Sequence, residues 1–169
     1  MKLLLAPLGF LISPITIAAV NLLLLFPMVL SVVDVARSAI VRADTHEPVA
    51  IVSTVALMMI GWGVALEERA VIRKLFGVWG RPDESRQEEI DHQCHTYGVA
   101  QLVLGLFAEI AVAMISLPDR IINTKGLEHA LLTVSLTLIA IASLIQARHI
   151  LVLLSATVRS PPPAEAATD

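Results

Sequence analysis

The chain has 169 residues, of which 56% are hydrophobic and only 16% charged, and its mean hydropathy is +0.78. Soluble domains are roughly 45–50% apolar and about a quarter charged, so this composition belongs to a lipid-embedded chain. A formal net charge of −3 offers no basic surface for nucleic acid, and a single cysteine, Cys94, excludes an internal disulfide framework.

The apolar residues fall in four blocks. A hydrocarbon core of about 30 Å takes roughly 20 helical residues to cross. No ionisable side chain occurs between Leu3 and Val33, a run punctuated by Pro14 and Pro27. We read 1–11 as an interfacial approach and about 13–35 as the first span. A cleaved signal peptide with Lys2 as its basic n-region is the alternative, but the apolar run is too long and no A-x-A site ends it. The second span covers about 48–66, opened by Pro48 at a favourable first helical position. The third covers about 97–117, is closed by Pro118 and holds one charge, Glu109; the fourth covers about 127–150. Residues 159–169, rich in proline and alanine, have the composition of a disordered tail. The expectation is one all-α domain over 1–158, an integral membrane four-helix bundle with a helical cytoplasmic loop at 67–96.

Cations in short flanks set orientation. Lys2, Arg69, Arg73, Lys74, Arg81, Arg86, Arg148 and Arg159 lie on one side, against Arg37, Arg42, Arg120 and Lys125 on the other. Both termini and the 67–96 loop are therefore expected in the cytoplasm, in a cell membrane of the bacterial inner-membrane type. Within that loop, ALEERAVIRKLFGVW extends the second helix, with Val64, Ala65, Ile72, Leu75 and Phe76 at helical spacing and a stop at Gly80-Arg81-Pro82. Asp83 or Ser85 caps a further helix, ESRQEEIDHQCH, that runs toward the third span.

Glu109 is the residue lipid makes most expensive, at roughly 2.5–3.5 kcal/mol on insertion scales. It lies on a stripe of small or polar residues that includes Gly98, Gln101, Gly105, Ala113 and Ser116. On the fourth span His129, Thr133, Thr137, Ala140, Ser143 and Ala147 form a comparable stripe. Small residues allow close helix approach, so the two stripes are expected to pack together. Depth counting then brings Thr133 and Thr137 level with a neutral, hydrogen-bonded Glu109.

Two further groups carry titratable chemistry. Glu67, Glu68, Arg148 and His149 fall at one boundary level, where an ion pair between the second and fourth helices is expected. Glu89, His92, Cys94 and His95 combine carboxylate, imidazole and thiol at helical spacing, a set suited to a borderline metal. With one cysteine and no second Glu-x-x-His, the set is incomplete as a di-iron pattern. Haem would need two facing imidazoles, such as His95 with His149 or His46 with His129. No histidine lies mid-span, and no cofactor is implied.

Leu66–Trp79, LEERAVIRKLFGVW, is similar to the E-E-x-x-L-x-x-x-F-G-x-x-Y signature of membrane isoprenylcysteine and phospholipid methyltransferases. The resemblance covers fourteen of 169 residues. It implies methyl transfer, yet the Arg-His-Pro motif of that family is missing and two spans follow the signature rather than none. An amphipathic helix explains the same letters.

No nucleophile–base pair, phosphate loop or complete metal set is legible. The expectation is a non-enzymatic multi-pass protein, an accessory or scaffold subunit, whose partners are the bilayer and a protein or second copy held through small-residue helix faces. A small proton- or cation-coupled carrier using Glu109 is the alternative, with a metal, haem or methyl-transfer enzyme behind it.

Overall fold

The computed structural model describes residues 13–41, 46–75, 84–117 and 126–158. Among the described residues five helices follow in chain order: α1 (Pro14–Val41), α2 (His46–Glu67), α3 (Arg69–Leu75), α4 (Glu84–Ser116) and α5 (Glu128–Val158). The segment 1–11, Phe76, the Gly80–Pro82 stop and the tail 159–169 lie outside the described residues.

The helix ends follow from local chemistry. Ser13 caps α1, its Oγ accepting from the Thr16 amide at 3.2 Å, and Pro14 takes the first helical position, where no amide donor is needed. Glu47, Glu84 and Glu128 stand in the first turns of α2, α4 and α5, at the positive end of each helix dipole. α2 and α3 are separated by a single turn residue, Glu68. Its amide donates to the Val64 carbonyl at 3.0 Å, and its own carbonyl accepts from Ile72 at 2.9 Å. The expected extension of the second helix is therefore present, with a break at Glu68.

α1, α2, α4 and α5 are each long and apolar enough to cross a membrane. α4 has 33 residues and α5 has 31, about 50 and 47 Å at 1.5 Å per residue, so both outrun a hydrocarbon core of about 30 Å. The helix starting at Glu84 and the third span are thus one rod. Only 28–33% of each crossing window is buried, and the outward faces carry side chains such as Leu23, Phe26, Phe107, Leu144 and Leu151. An apolar exterior of this kind suits lipid.

Buried positions recur at steps of three and four, with one step of seven on α1. On α1 they are Ile17, Asn21, Met28, Ser31 and Val35, and on α2 Val52, Ala56, Met59, Gly63 and Leu66. On α4 the row is Asp91, Cys94, Gly98, Gln101, Gly105, Ala108 and Val112. On α5 it is Leu132, Ser135, Ile139, Ala142, Gln146, His149 and Leu153. A seven-residue repeat in all four helices is the pattern of a left-handed bundle.

α4 packs extensively on both α2 and α5, and α5 packs on α1, whereas α1 and α2 meet only lightly. The α2–α4 seam is the tightest. A Cβ on Gly63 would lie 2.6 Å from the Leu102 amide nitrogen, and one on Gly98 would lie 2.7 Å from the Gly63 carbonyl oxygen. The glycine stripe of α4 therefore packs on α2, not on α5 as expected from sequence. α5 meets α4 at Gln101 and Ala108 of the same inward row, through Ala142 and Ser135. Ser135 Oγ donates to the Ala108 carbonyl at 3.0 Å.

Candidate functional site

At one end of the bundle α1 begins, α2 ends, α4 begins and α5 ends, with α3 beside them. Here every spanning helix places a polar side chain inward: Asn21 from α1, Trp62 from α2, Cys94, Tyr97 and Gln101 from α4, and Gln146 and His149 from α5. Asn21, Cys94, Gln101, Gln146 and His149 are all buried. Lipid offers no competing hydrogen bonds, so groups of this kind must find one another.

Trp62 Nε1 donates to Asn21 Oδ1 at 2.6 Å. Gln146 Nε2 donates to the same oxygen at 3.0 Å. Gln101 Nε2 donates to Gln146 Oε1 at 2.7 Å and to the Ala142 carbonyl at 3.0 Å. Asn21 Nδ2 meets His149 Nδ1 at 3.1 Å, and His149 Nε2 lies 3.9 Å from Cys94 Sγ. The Tyr97 ring stacks on the imidazole, with centroids 4.4 Å apart and planes at 10°.

The direction of this chain follows from one donor. Indole nitrogen can only donate, so the Asn21 atom facing Trp62 is the oxygen and the atom facing His149 is the NH2. His149 Nδ1 is then an acceptor and the proton sits on Nε2, aimed at the Cys94 sulfur. An imidazole in that tautomer offers Cys94 a donor, whereas a thiol nucleophile needs a base at that position. The thiol, imidazole and amide are thus arranged as a packing network and not as a Cys-His-Asn catalytic set.

Beyond this core a charged layer ties α3 to α4. Asp91 is 8% exposed and lies between two buried guanidinium groups. Arg69 Nη1 donates to Asp91 Oδ1, while Arg73 Nε donates to Asp91 Oδ2 at 3.0 Å. Arg69 also reaches Gln87 Oε1 at 3.0 Å and Arg73 reaches Glu84 Oε1 at 3.2 Å. α3 consequently turns its arginines inward and leaves Val71 and Leu75 exposed. This corrects the apolar face expected from Val64, Ala65 and Leu75, all of which are exposed. The buried line instead runs Leu66, Arg69, Arg73.

The residues singled out in the sequence are distributed differently from expectation. Glu109 is half-buried, and its hydroxyl partner is Ser53 of α2, which donates to Oε1 at 2.9 Å. Thr133 and Thr137 are exposed, and they donate to the His129 and Thr133 carbonyls one turn back, at 2.6 and 2.7 Å. They satisfy themselves within their own helix and need no carboxyl. Glu67 is half-buried and Glu68 and Arg148 are exposed, and no ion pair links them among the described residues. His149 occupies the inward row of α5, so Arg148, one residue earlier, faces outward.

The set Glu89, His92, Cys94 and His95 is split by the same periodicity. Cys94 turns inward, while Glu89, His92 and His95 are exposed. Among the described residues no three His, Cys, Asp or Glu side chains gather as a metal site. His95 likewise does not face His149, which stacks on Tyr97.

Asn21, Trp62, Gln146 and Ser53 are site residues that sequence reasoning misses. The signal that could find them is polarity without charge: an Asn or Gln within an apolar span needs a partner much as a carboxyl does. Comparison with protein-family models, with curated proteins and with solved structures finds no match for this chain.

Proposed function

We propose that the chain is a non-enzymatic multi-pass protein of a cell membrane, of the bacterial inner-membrane type, and serves as an accessory or scaffold subunit of a larger complex. Both termini and the α3 end face the cytoplasm, following the excess of Lys and Arg on that side. One observation carries the reading: the polar side chains of four helices are used on one another, from Trp62 through Asn21 to His149 and Gln101. They hold helices together, and the cavity that Trp62, Gln101 and Gln146 help to line measures only about 10 Å³.

The glycine faces are occupied inside the chain, at Gly63, Gly98 and Gly105. Small residues such as Gly61 and Ala113 remain exposed for a partner, and a second surface is available. α3 supplies it, because its Val71 and Leu75 are 57% and 77% exposed, and Glu88, Glu89, His92 and His95 of α4 are exposed as well.

The test is purification of tagged protein from mild detergent. A stoichiometric companion that is lost in Val71→Asp with Leu75→Asp supports the scaffold reading. A chain that purifies alone, together with loss of proton or cation flux in Glu109→Gln, supports the carrier reading instead. The latter rests on a specific observation: Glu109 accepts from Ser53 at Oε1, while its buried Oε2 has no hydrogen-bond partner.

A further inference from the structure

The weak α1–α2 seam is closed at the α3 end by the Trp62–Asn21 bond and opens toward the other end into a groove of about 610 Å³. Its walls are mostly apolar, with Pro27 and Leu30 from α1 and Ile51 and Met58 from α2 beside the hydroxyls of Ser31 and Thr54, and Asp34 and Arg37 line its outer end. Both charged side chains are exposed, and neither has an ion pair or hydrogen bond to a described residue.

We propose that this groove holds one phospholipid with a primary-ammonium, zwitterionic headgroup. Length argues for lipid over a partner helix. From Pro27 to Arg37 the groove runs ten residues along α1, about 15 Å, which is one leaflet of a core about 30 Å thick. A helix docked against this seam would run the full core, but the inner half is closed by Trp62 and Asn21. Charge argues for the headgroup. Arg37 closes the crossing window of α1, at headgroup level, and its guanidinium matches a phosphate. Asp34, one turn away on the same face, matches an ammonium that can donate hydrogen bonds. An anionic headgroup without an amine would meet Asp34 as a like charge. The inference is independent of the scaffold reading, since a lipid in this groove requires no partner protein.

The experiment uses full-length protein, delipidated in detergent and offered phosphatidylethanolamine, phosphatidylcholine or phosphatidylglycerol with identical acyl chains. Native mass spectrometry counts retained lipid. One phosphatidylethanolamine per chain is expected, held in preference to the other two. Asp34→Asn should lower its retention roughly five-fold, to the phosphatidylcholine level, and Arg37→Gln should weaken all three lipids by a similar factor. Because both side chains are exposed, thermal midpoints without lipid should match wild type and separate lost binding from lost folding. Equal retention of the three lipids, a preference for phosphatidylglycerol, or undiminished phosphatidylethanolamine in both variants overturns the proposal. A dimer that competes with phosphatidylethanolamine would make a second copy the occupant and also overturns it.

Discussion

Gly98 faces Gly63 across the α2–α4 seam so closely that a methyl group on either would strike the other helix's backbone. A Cβ on Gly98 falls 2.7 Å from the Gly63 oxygen and 2.8 Å from the Glu67 nitrogen. Backbone cannot yield as a flexible side chain does, so the helices must separate. Gly63→Ala and Gly98→Ala should each lose about 1–3 kcal/mol, the usual cost of overpacking. Gly61, two residues away, has open space where a Cβ would sit, with no atom within 4 Å. Gly61→Ala should therefore leave the thermal midpoint in detergent unchanged or slightly raised. Equal behaviour of Gly61→Ala and Gly63→Ala would remove the close seam from the account.

Asp91 makes a second, sharper prediction. Removing one partner of a buried ion pair leaves uncompensated charge and costs about 3–5 kcal/mol, whereas replacing the whole group by apolar residues is often neutral. Asp91→Ala should therefore unlatch α3, leaving Arg69 and Arg73 facing each other without their shared carboxylate. Combining it with Arg69→Leu and Arg73→Leu should restore much of the loss. Tryptic cleavage at the exposed Lys74 of α3 reads the latch directly. A triple variant no better than Asp91→Ala would show that the charges do more than compensate one another.

The bundle itself is legible in the sequence because lipid imposes simple demands: four predominantly apolar runs of sufficient length, closed by Pro118 and by the polar flanks. The α4 stripe through Gly98, Gln101 and Gly105 is also readable, since small residues mark close approach. The α5 face misleads for a physical reason. Thr133 and Thr137 look like inward-facing polar residues, yet a threonine hydroxyl can bond the carbonyl one turn back and remain in lipid at little cost. The true inward row mixes Leu132, Ile139 and Leu153 with Gln146 and His149, and only the latter two lack such a local solution. The Asp91 latch escapes for a related reason. Charge in a loop reads as solvated, and only the pairing of two helices shows that Arg69, Arg73 and Asp91 face each other.

The amide core gives a prediction with internal contrast. Trp62→Phe removes one of two donors to Asn21 Oδ1 and leaves Gln146 in place, so the loss should be about 0.5–1.5 kcal/mol. Asn21→Leu strands Trp62 Nε1 and His149 Nδ1 and removes an acceptor of Gln146. Each buried unsatisfied group adds about 1–3 kcal/mol, so this variant should be clearly the worse of the two. Their order in detergent melting checks the direction of the network. Were Trp62→Phe the more damaging, packing of the indole and not its hydrogen bond would dominate the α1–α2 seam.

Glu109 separates a packing carboxyl from a working one, and its partner Ser53 makes the separation measurable. If the pair only joins α2 to α4, Glu109→Gln keeps an oxygen for the Ser53 hydroxyl, and Ser53→Ala removes the donor. Each should cost near the roughly 0.6 kcal/mol typical of hydrogen bonds between membrane helices. In a double-mutant cycle with Glu109→Leu and Ser53→Ala, the coupling should be of that size, with Glu109→Leu alone the more harmful because it presses on the seam beside Gly105. If Glu109 instead carries protons, Glu109→Gln keeps accumulation and melting behaviour but abolishes flux in liposomes, since an amide cannot titrate near neutral pH. Ser53→Ala then becomes informative. It should lower flux without abolishing it, because it removes one hydrogen bond to the carboxyl and leaves the carboxyl itself. Unaltered function in Glu109→Gln would falsify the carrier, and preserved stability with lost flux would displace the scaffold.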